Sequence, residues 1–338
     1  MYIRFDVMAD RHTYSKKELE VYFDRICLPD SERIYDVTGI SNDNKLEFLQ
    51  LLQKHQLVKV PWENLVQHYS WHRVVNVKPK HLFKKIVRSH GRGGYCMEAN
   101  FFFHTILLSL GFDVYMCGCR VYKSAKGGFG GWTHVVNLVS IAGTKWLCDG
   151  GYGSNGPSRP IPLQHGEIQT QIEPAQYRLL HEPIRQNLNR AQKLWIYQHR
   201  FSEHSDWTTQ YCFPDNLEFL PEDIESMNFE PWLDRQTFFT HKVVAVRFTT
   251  TNEKNSTRGP GSPHEANLAG DIDGAITLNH DVLKWRRNGK KVVEFPLKSE
   301  TDRLEALCMY FGITFSDEDI EAIKGTAAMI GSTAMDNP

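Results

Sequence analysis

The spacing of apolar residues changes character at Gly111, and that change confines the chain to folds that keep helices and strands in separate regions. Before Gly111 the apolar positions recur at helical intervals. Ser15 and Glu18 form a capping-box pattern ahead of Leu19, Tyr22, Phe23 and Ile26. A second helix is predicted over about 45–56, with Leu46, Phe48, Leu49 and Leu52 apolar, and Pro61 stops any continuation. Pro79 opens a third, carrying Leu82, Phe83, Ile86 and Val87. A fourth begins just after Gly93-Gly94, holds Phe103, Ile106, Leu107 and Leu110, and ends at Gly111. From Phe112 the pattern turns to short β-rich runs broken by glycine, over 113–120, 133–141, 145–149, 195–200 and 207–213, a barrel or sandwich texture. Next come a helical connector over 221–232, a strand over 242–250 and a long surface loop over 251–274. Strands over 275–278 and 282–297 follow, with an Asn288-Gly289 turn, then a last helix from Ser316 to about Lys324. The small-residue tail over 325–338 reads as disordered.

A chain of 338 residues exceeds what one core sustains, so two or three domains are expected. Its 41% apolar and 23% charged residues exclude disorder throughout. The balance of 39 basic against 40 acidic residues argues against a polyanion partner, so no nucleic acid is expected. The densest apolar run, 101–110, is half the ~20 residues of a spanning helix and contains His104, so no membrane partner is expected. Arg4, Asp6, Asp10 and Arg11 leave no secretory signal visible. Seven cysteines without a CxxC pair suit neither a disulfide framework nor structural zinc. The reading is a cytoplasmic chain with reduced thiols and no bound metal.

One of those cysteines carries the chemical argument. Cys96 follows Arg92-Gly93-Gly94-Tyr95 and falls in the first turn of an apolar helix. Helix N-termini present unpaired N–H groups and a partial positive charge, a setting that favours thiolate over thiol. The second component is a hairpin. If Ala142 and Gly143 are its two loop residues, 134 faces 151, and Asp149 projects on the same sheet face as His134. A cysteine, a histidine and an aspartate are a nucleophile, a base and an orienter. The third component, Gly127-Gly128-Phe129-Gly130-Gly131, is either a loop whose N–H groups approach a phosphate or a hairpin tip.

These residues together resemble the arylamine N-acetyltransferase family. Val60-Pro61-Trp62-Glu63-Asn64-Leu65 is similar to its (I/V)PFENL segment, with Trp for Phe. Arg92-Gly93-Gly94-Tyr95-Cys96-Met97-Glu98-Ala99-Asn100 resembles its RGGxCxExN motif. His134 and Asp149-Gly150-Gly151-Tyr152-Gly153 resemble the histidine strand and the DxGxG segment, in family order. The resemblance implies an α+β fold with a cysteine-protease-like core: an N-terminal helical bundle over 1–111, a central β-barrel over 112–220 and a C-terminal α/β lid over 221–338. It also implies acyl transfer from an acyl-coenzyme A co-substrate, acetyl-CoA first, to an arylamine or arylhydrazine, through a thioester on Cys96. His134 would be the base and Asp149 the orienter. Gly130 and Gly131 fall where the family lines the coenzyme pyrophosphate site. Tyr152 falls where an aromatic ring meets the acceptor; Tyr95 is a further substrate-contact candidate, and Trp132 is either that or barrel packing. Glu63 and Arg92 resemble a structural ion pair under the nucleophile loop. The basic residues around Asn288-Gly289 either attract coenzyme phosphates or form a solvated hairpin. A papain- or transglutaminase-like hydrolase shares the order Cys–His–Asp but not the segment Pro61–Leu65 or the glycine run. A malonyl donor is the other alternative, and it requires a cation near the thioester.

Overall fold

The computed structural model of the chain describes residues 11–253 and 270–332. The first helix, α1 (Lys16–Arg25), starts at the predicted capping box: the Ser15 hydroxyl accepts from the Glu18 N–H, and the Glu18 carboxylate accepts from the Ser15 N–H at 2.8 Å. α2 (Asn42–Lys59) starts three residues ahead of its apolar pattern, because Ser41 caps it by accepting from the Asn44 N–H at 3.2 Å. The short strand β1 (Trp62–Glu63) follows Pro61. α3 (Pro79–Phe83) widens into a π turn over Lys84–Arg88. α4 (Cys96–Ser109) is buried from Cys96 to Leu107, with Phe102, Phe103, Ile106 and Leu107 in the core. A helix of that kind belongs at the centre of a core, where each such side chain contributes about 1.5–3 kcal/mol. Phe102 packs against the Tyr14 and Tyr22 rings on the bundle side.

The β-rich middle forms one antiparallel sheet. Its strands are β2 (Asp113–Lys123), β3 (Gly128–Ile141), β4 (Thr144–Cys148), β5 (Ile161–Pro162), β6 (Ile168–Thr170), β7 (Gln176–Glu182), β8 (Leu194–Arg200) and β9 (Thr208–Phe213). The spatial order is β5-β4-β3-β2-β9-β8-β7-β6, curled into a half-barrel. Neighbours in sequence pair antiparallel except β5 and β6, which are the two ends of this order; the long-range join is β2 to β9, through Arg120↔Cys212 and Val121↔Tyr211. The glycine run is not the loop that its composition suggests. Only Gly127 turns, at φ 63, while Gly128–Gly131 belong to β3, paired through Lys123↔Gly128 and Tyr122↔Phe129.

The remainder comprises α5 (Pro221–Met227), α6 (Phe229–Leu233), β10 (Val244–Thr250), β11 (Ile272–Asn279), β12 (Val282–Arg287), β13 (Lys290–Pro296), α7 (Glu300–Ala306) and α8 (Asp317–Glu321). A second antiparallel sheet runs β1-β10-β11-β12-β13. Asn288 and Gly289 adopt positive φ, 46° and 71°, in the predicted tight turn. Most of the expected loop over 251–274 lies outside the described residues, and β11 already begins at Ile272. The tail corrects an expectation as far as it is described. The Ile330 N–H donates to Glu300 at 2.8 Å and Arg303 donates to the Ala328 carbonyl at 2.8 Å, so residues 325–332 dock on the second core. The architecture is therefore α+β: a helical bundle, a curled central sheet and an α/β lid.

Candidate active site

The hairpin of β3 and β4 has the predicted two-residue turn, Ala142 and Gly143, with φ of 51° and 79°. Pairing runs from Ile141↔Thr144 to Asn137↔Cys148. The chain then leaves the strand, and Asp149 bends back so that its Oδ2 accepts from His134 Nε2 at 2.8 Å. Cys96 comes to this pair because α4 packs on β3. Asn100, one turn after Cys96 on the same helix face, donates to the Val135 carbonyl at 2.6 Å; Asn137 donates to the Asn100 carbonyl at 2.9 Å. The Cys96 Sγ lies 3.7 Å from the Thr133 carbonyl, one residue before His134, close enough for the sulfur to interact with the imidazole. With Nε2 committed to Asp149, Nδ1 is the nitrogen left for the sulfur. Cys96, His134 and Asp149 are 4%, 2% and 1% exposed, so their mutual interactions are little screened.

Burial alone would push the His134 imidazole towards the neutral form. The Asp149 carboxylate, its hydrogen bond and the Cys96 sulfur outweigh that and lift the pKa from 6.5 to about 10. Burial likewise works against the Asp149 anion. The His134 charge and the donors from Asn100 and Gly151 reverse the balance and hold this carboxyl below its ordinary range. Those donors, the Asn100 Nδ2 at 2.8 Å and the Gly151 N–H at 2.9 Å, both reach Oδ1. The role of Asn100 is absent from the sequence reading, although its spacing of four from Cys96 is the signal that would have raised it.

Two glycines exist for close approach. A Cβ on Gly93 would sit 1.8 Å from the Pro61 carbonyl, since Gly94 donates to that carbonyl and accepts from the Glu63 N–H. A Cβ on Gly151 would sit 2.7 Å from the Cys96 Cα. Below the nucleophile loop lies a buried cluster of two acids and two bases. Glu63 accepts from Arg92 Nε at 3.0 Å, from the Gly93 N–H at 3.2 Å and from the Leu65 N–H at 2.6 Å. Lys85 bridges Glu98 at 2.6 Å and Glu63 at 3.7 Å, and Glu98 also accepts from the Tyr95 N–H at the start of α4. Burial opposes ionisation of Glu63, but Arg92 and Lys85 outweigh it and hold that carboxyl low; burial and the Glu63 charge raise Glu98. The sequence points to the Glu63–Arg92 pair; Lys85 carries no local signal.

The remaining candidates separate. The Tyr152 ring is 5.1 Å from His134 and donates its hydroxyl to the Gln210 carbonyl; Tyr211, not singled out by sequence, packs on His134 at 5.0 Å. Tyr152, Trp62 and Phe238 form the aromatic side of a cavity of about 680 Å³. Tyr95 is buried away from that cavity, with its hydroxyl on Asn228 and its ring against Phe239. Trp132 packs edge-on to Phe219 at 5.4 Å with the Arg120 guanidinium 4.0 Å over its ring. Gly130 and Gly131 flank the Lys123–Glu230 pair, and Arg120 donates to the Gly130 carbonyl at 3.1 Å. On the lid hairpin, Lys284 pairs with Glu294 and Arg287 with Asp273. Among the described residues no cluster of His, Cys, Asp or Glu is arranged to hold a metal ion, and no helix is long and apolar enough to cross a membrane.

Comparison with known proteins bears on the family and the fold. A sequence model of the N-acetyltransferase family matches residues 45–259. The N-malonyltransferase FDB2 of Fusarium pseudograminearum is 31% identical over 329 residues, covering 90% of this chain and 91% of that protein. The structure of the arylamine N-acetyltransferase from Salmonella typhimurium superposes with a TM-score of 0.70 at 23% identity, over 92% of this chain and 98% of that one. The Mycobacterium marinum arylamine N-acetyltransferase in complex with CoA gives 0.67 at 21% identity, over 92% and 97%. A cysteine at the head of a central helix, facing a histidine on the neighbouring sheet, is thus set in a chain that matches these proteins over about nine-tenths of its length: it belongs to the arylamine N-acetyltransferase family of acyltransferases.

Proposed function

We propose that the chain transfers an acyl group from an acyl-coenzyme A to the nitrogen of an arylamine or arylhydrazine by double displacement through Cys96. The observation that carries this is the buried His134–Asp149 hydrogen bond with the Cys96 sulfur brought beside the imidazole at the start of α4. His134 takes the Cys96 proton and the sulfur attacks the thioester carbonyl, with the Cys96 backbone N–H as an oxyanion donor. The tetrahedral intermediate expels coenzyme A, whose sulfur receives the proton back from His134. The amine then attacks the carbonyl carbon of the Cys96 thioester, His134 takes the amine proton, the carbon–sulfur bond breaks to return the Cys96 thiolate, and the amide leaves. Asp149 holds the imidazole in the tautomer and orientation that both halves need. The Mycobacterium marinum complex supports coenzyme A as the carrier. Gly130 and Gly131, with Arg120 and Lys123 beside them, are the proposed pyrophosphate contact, and Tyr152 and Trp62 the proposed acceptor contacts.

The acyl group has two readings. Acetyl follows the Salmonella and Mycobacterium enzymes, while malonyl follows the Fusarium relative, whose 31% identity extends over 90% of this chain. Mass spectrometry of the protein mixed with an acyl-coenzyme A and no acceptor tests the shared chemistry. An acyl adduct on Cys96, discharged by an arylamine and absent in Cys96→Ser, is expected. Retained turnover in Cys96→Ser would refute covalent catalysis.

A further inference from the structure

The cavity lined by Tyr152 comes near the nucleophile through the chain: Tyr152 and Gly153 follow directly on Gly151, whose backbone lies against Cys96, and Trp62 stands over Gly153. Val244 continues this wall as an apolar surface. Lys242 also borders the cavity, just before β10, and its backbone is fixed because Asn64 donates to its carbonyl at 2.7 Å. Its ammonium forms no ion pair among the described residues. The other cations around the site are engaged: Arg92 by Glu63, Lys85 by Glu98, Lys123 by Glu230, and Lys284, on the same cavity, by Glu294 at 3.0 Å. His280, also on the cavity, is drawn towards its neutral form, first by burial and then by the Arg303 charge. Asp281 is the acidic residue of this rim. Ser154, Asn155, Thr277 and Asn279 make the rest of the lining mixed in polarity, and Lys242 is exposed. A cation without an ion pair on this wall has no use for a neutral acetyl group. It has one for an acyl group that carries a charge.

We propose that Lys242 is a specificity-determining residue that pairs with the free carboxylate of a malonyl-type acyl group. The inference rests on the acyl-transfer reading above and names its donor class. In the first half-reaction the carbonyl–sulfur bond to coenzyme A breaks, the carbonyl–sulfur bond to Cys96 forms, and the Cys96 proton passes through His134 to the departing sulfur. The second carboxylate takes no part in bond making. It must nonetheless settle against a wall that also carries Asp281, where a facing ammonium offsets the like-charge repulsion. The long flexible stem of lysine lets the charge follow the acyl group from the coenzyme to Cys96.

The experiment compares kcat/KM for malonyl-CoA with that for acetyl-CoA, using one arylamine and the full chain, in wild type, Lys242→Met and Lys242→Arg. Wild type is expected to prefer malonyl-CoA. Lys242→Met is expected to lower the malonyl-to-acetyl ratio by about tenfold or more, and Lys242→Arg to keep it within about threefold, because the charge is what is read. A ratio in Lys242→Met within about twofold of wild type overturns the assignment, including the case in which both donors weaken equally, the mark of a coenzyme phosphate contact. A wild type that prefers acetyl-CoA overturns it as well. A wild type that forms no adduct on Cys96 with either donor instead refutes the acyl-transfer reading on which it rests.

Discussion

Replacing Gly151 with alanine would put a methyl carbon 2.7 Å from the Cys96 Cα, 2.8 Å from the Asn100 Nδ2 and 3.1 Å from the Cys96 Cβ. Ordinary contact begins at 3.4 Å, so the nearest pair must separate by about 0.7 Å. None of the three atoms is the free end of a flexible side chain. Cys96 starts a buried helix, and the Asn100 amide is held by Val135 and Asp149. Overpacking of this kind costs about 1–3 kcal/mol of stability. A displacement approaching 1 Å at a reacting group costs on the order of 10²-fold in rate. Gly150 is the internal control: its added Cβ would find Asn100 Oδ1 at 3.7 Å and Leu57 at 3.9 Å, both ordinary contacts. The assay is kcat for arylamine acylation together with the urea midpoint, for Gly150→Ala and Gly151→Ala in parallel. Gly151→Ala should lose roughly two orders of magnitude in rate while Gly150→Ala stays within about threefold of wild type. Equal activity in the two variants would show that the loop and Cys96 are not in register as described.

Neutralising the orienter in Asp149→Asn should lower kcat by up to about 10⁴-fold, and retention of more than about a tenth of the rate would refute its role. The His134 pKa is raised in the folded chain, so the stability it brings is complete below pH 6.5, where the unfolded imidazole is also protonated. That stability should then decline by up to ~1.4 kcal/mol per pH unit and vanish as pH passes about 10. Urea unfolding at a series of alkaline pH values should show this slope in wild type and a flatter one in Asp149→Asn; parallel slopes would disprove the linkage. Lys85→Met strands the buried Glu98 and Glu63 carboxylates against each other and should cost about 3–5 kcal/mol, read as a lowered Tm; a loss below about 1 kcal/mol would dismiss the cluster as structurally idle.

Much of the site was legible because its parts are local. The His134–Asp149 pairing follows from the length of one turn, since a two-residue loop at Ala142-Gly143 fixes which side chains share a face. The position of Cys96 follows from a glycine pair ahead of an apolar run. That α4 packs on β3, which brings the sulfur to the imidazole, depends on packing between segments and left no mark in periodicity. The β2–β9 join links positions 90 residues apart, and strand pairing at that range has no local code. Glycine content misled over Gly128–Gly131, because glycine is compatible with both a loop and a strand and the pairing of β2 decided. Lys85 stayed hidden because a lysine on a short helix reads as solvated until two acids are found beneath it.

The two-residue strand β1 is the smallest element of the fold, yet it is a shared girder. Trp62 and Glu63 pair with Val246 and Ala245 at the edge of the lid sheet. Glu63 also receives the Gly93 N–H, and its own N–H reaches the Gly94 carbonyl. The lid and the loop that presents the sulfur are thereby fastened to one beam, and a shift of the lid sheet is felt at Cys96 without crossing the cavity.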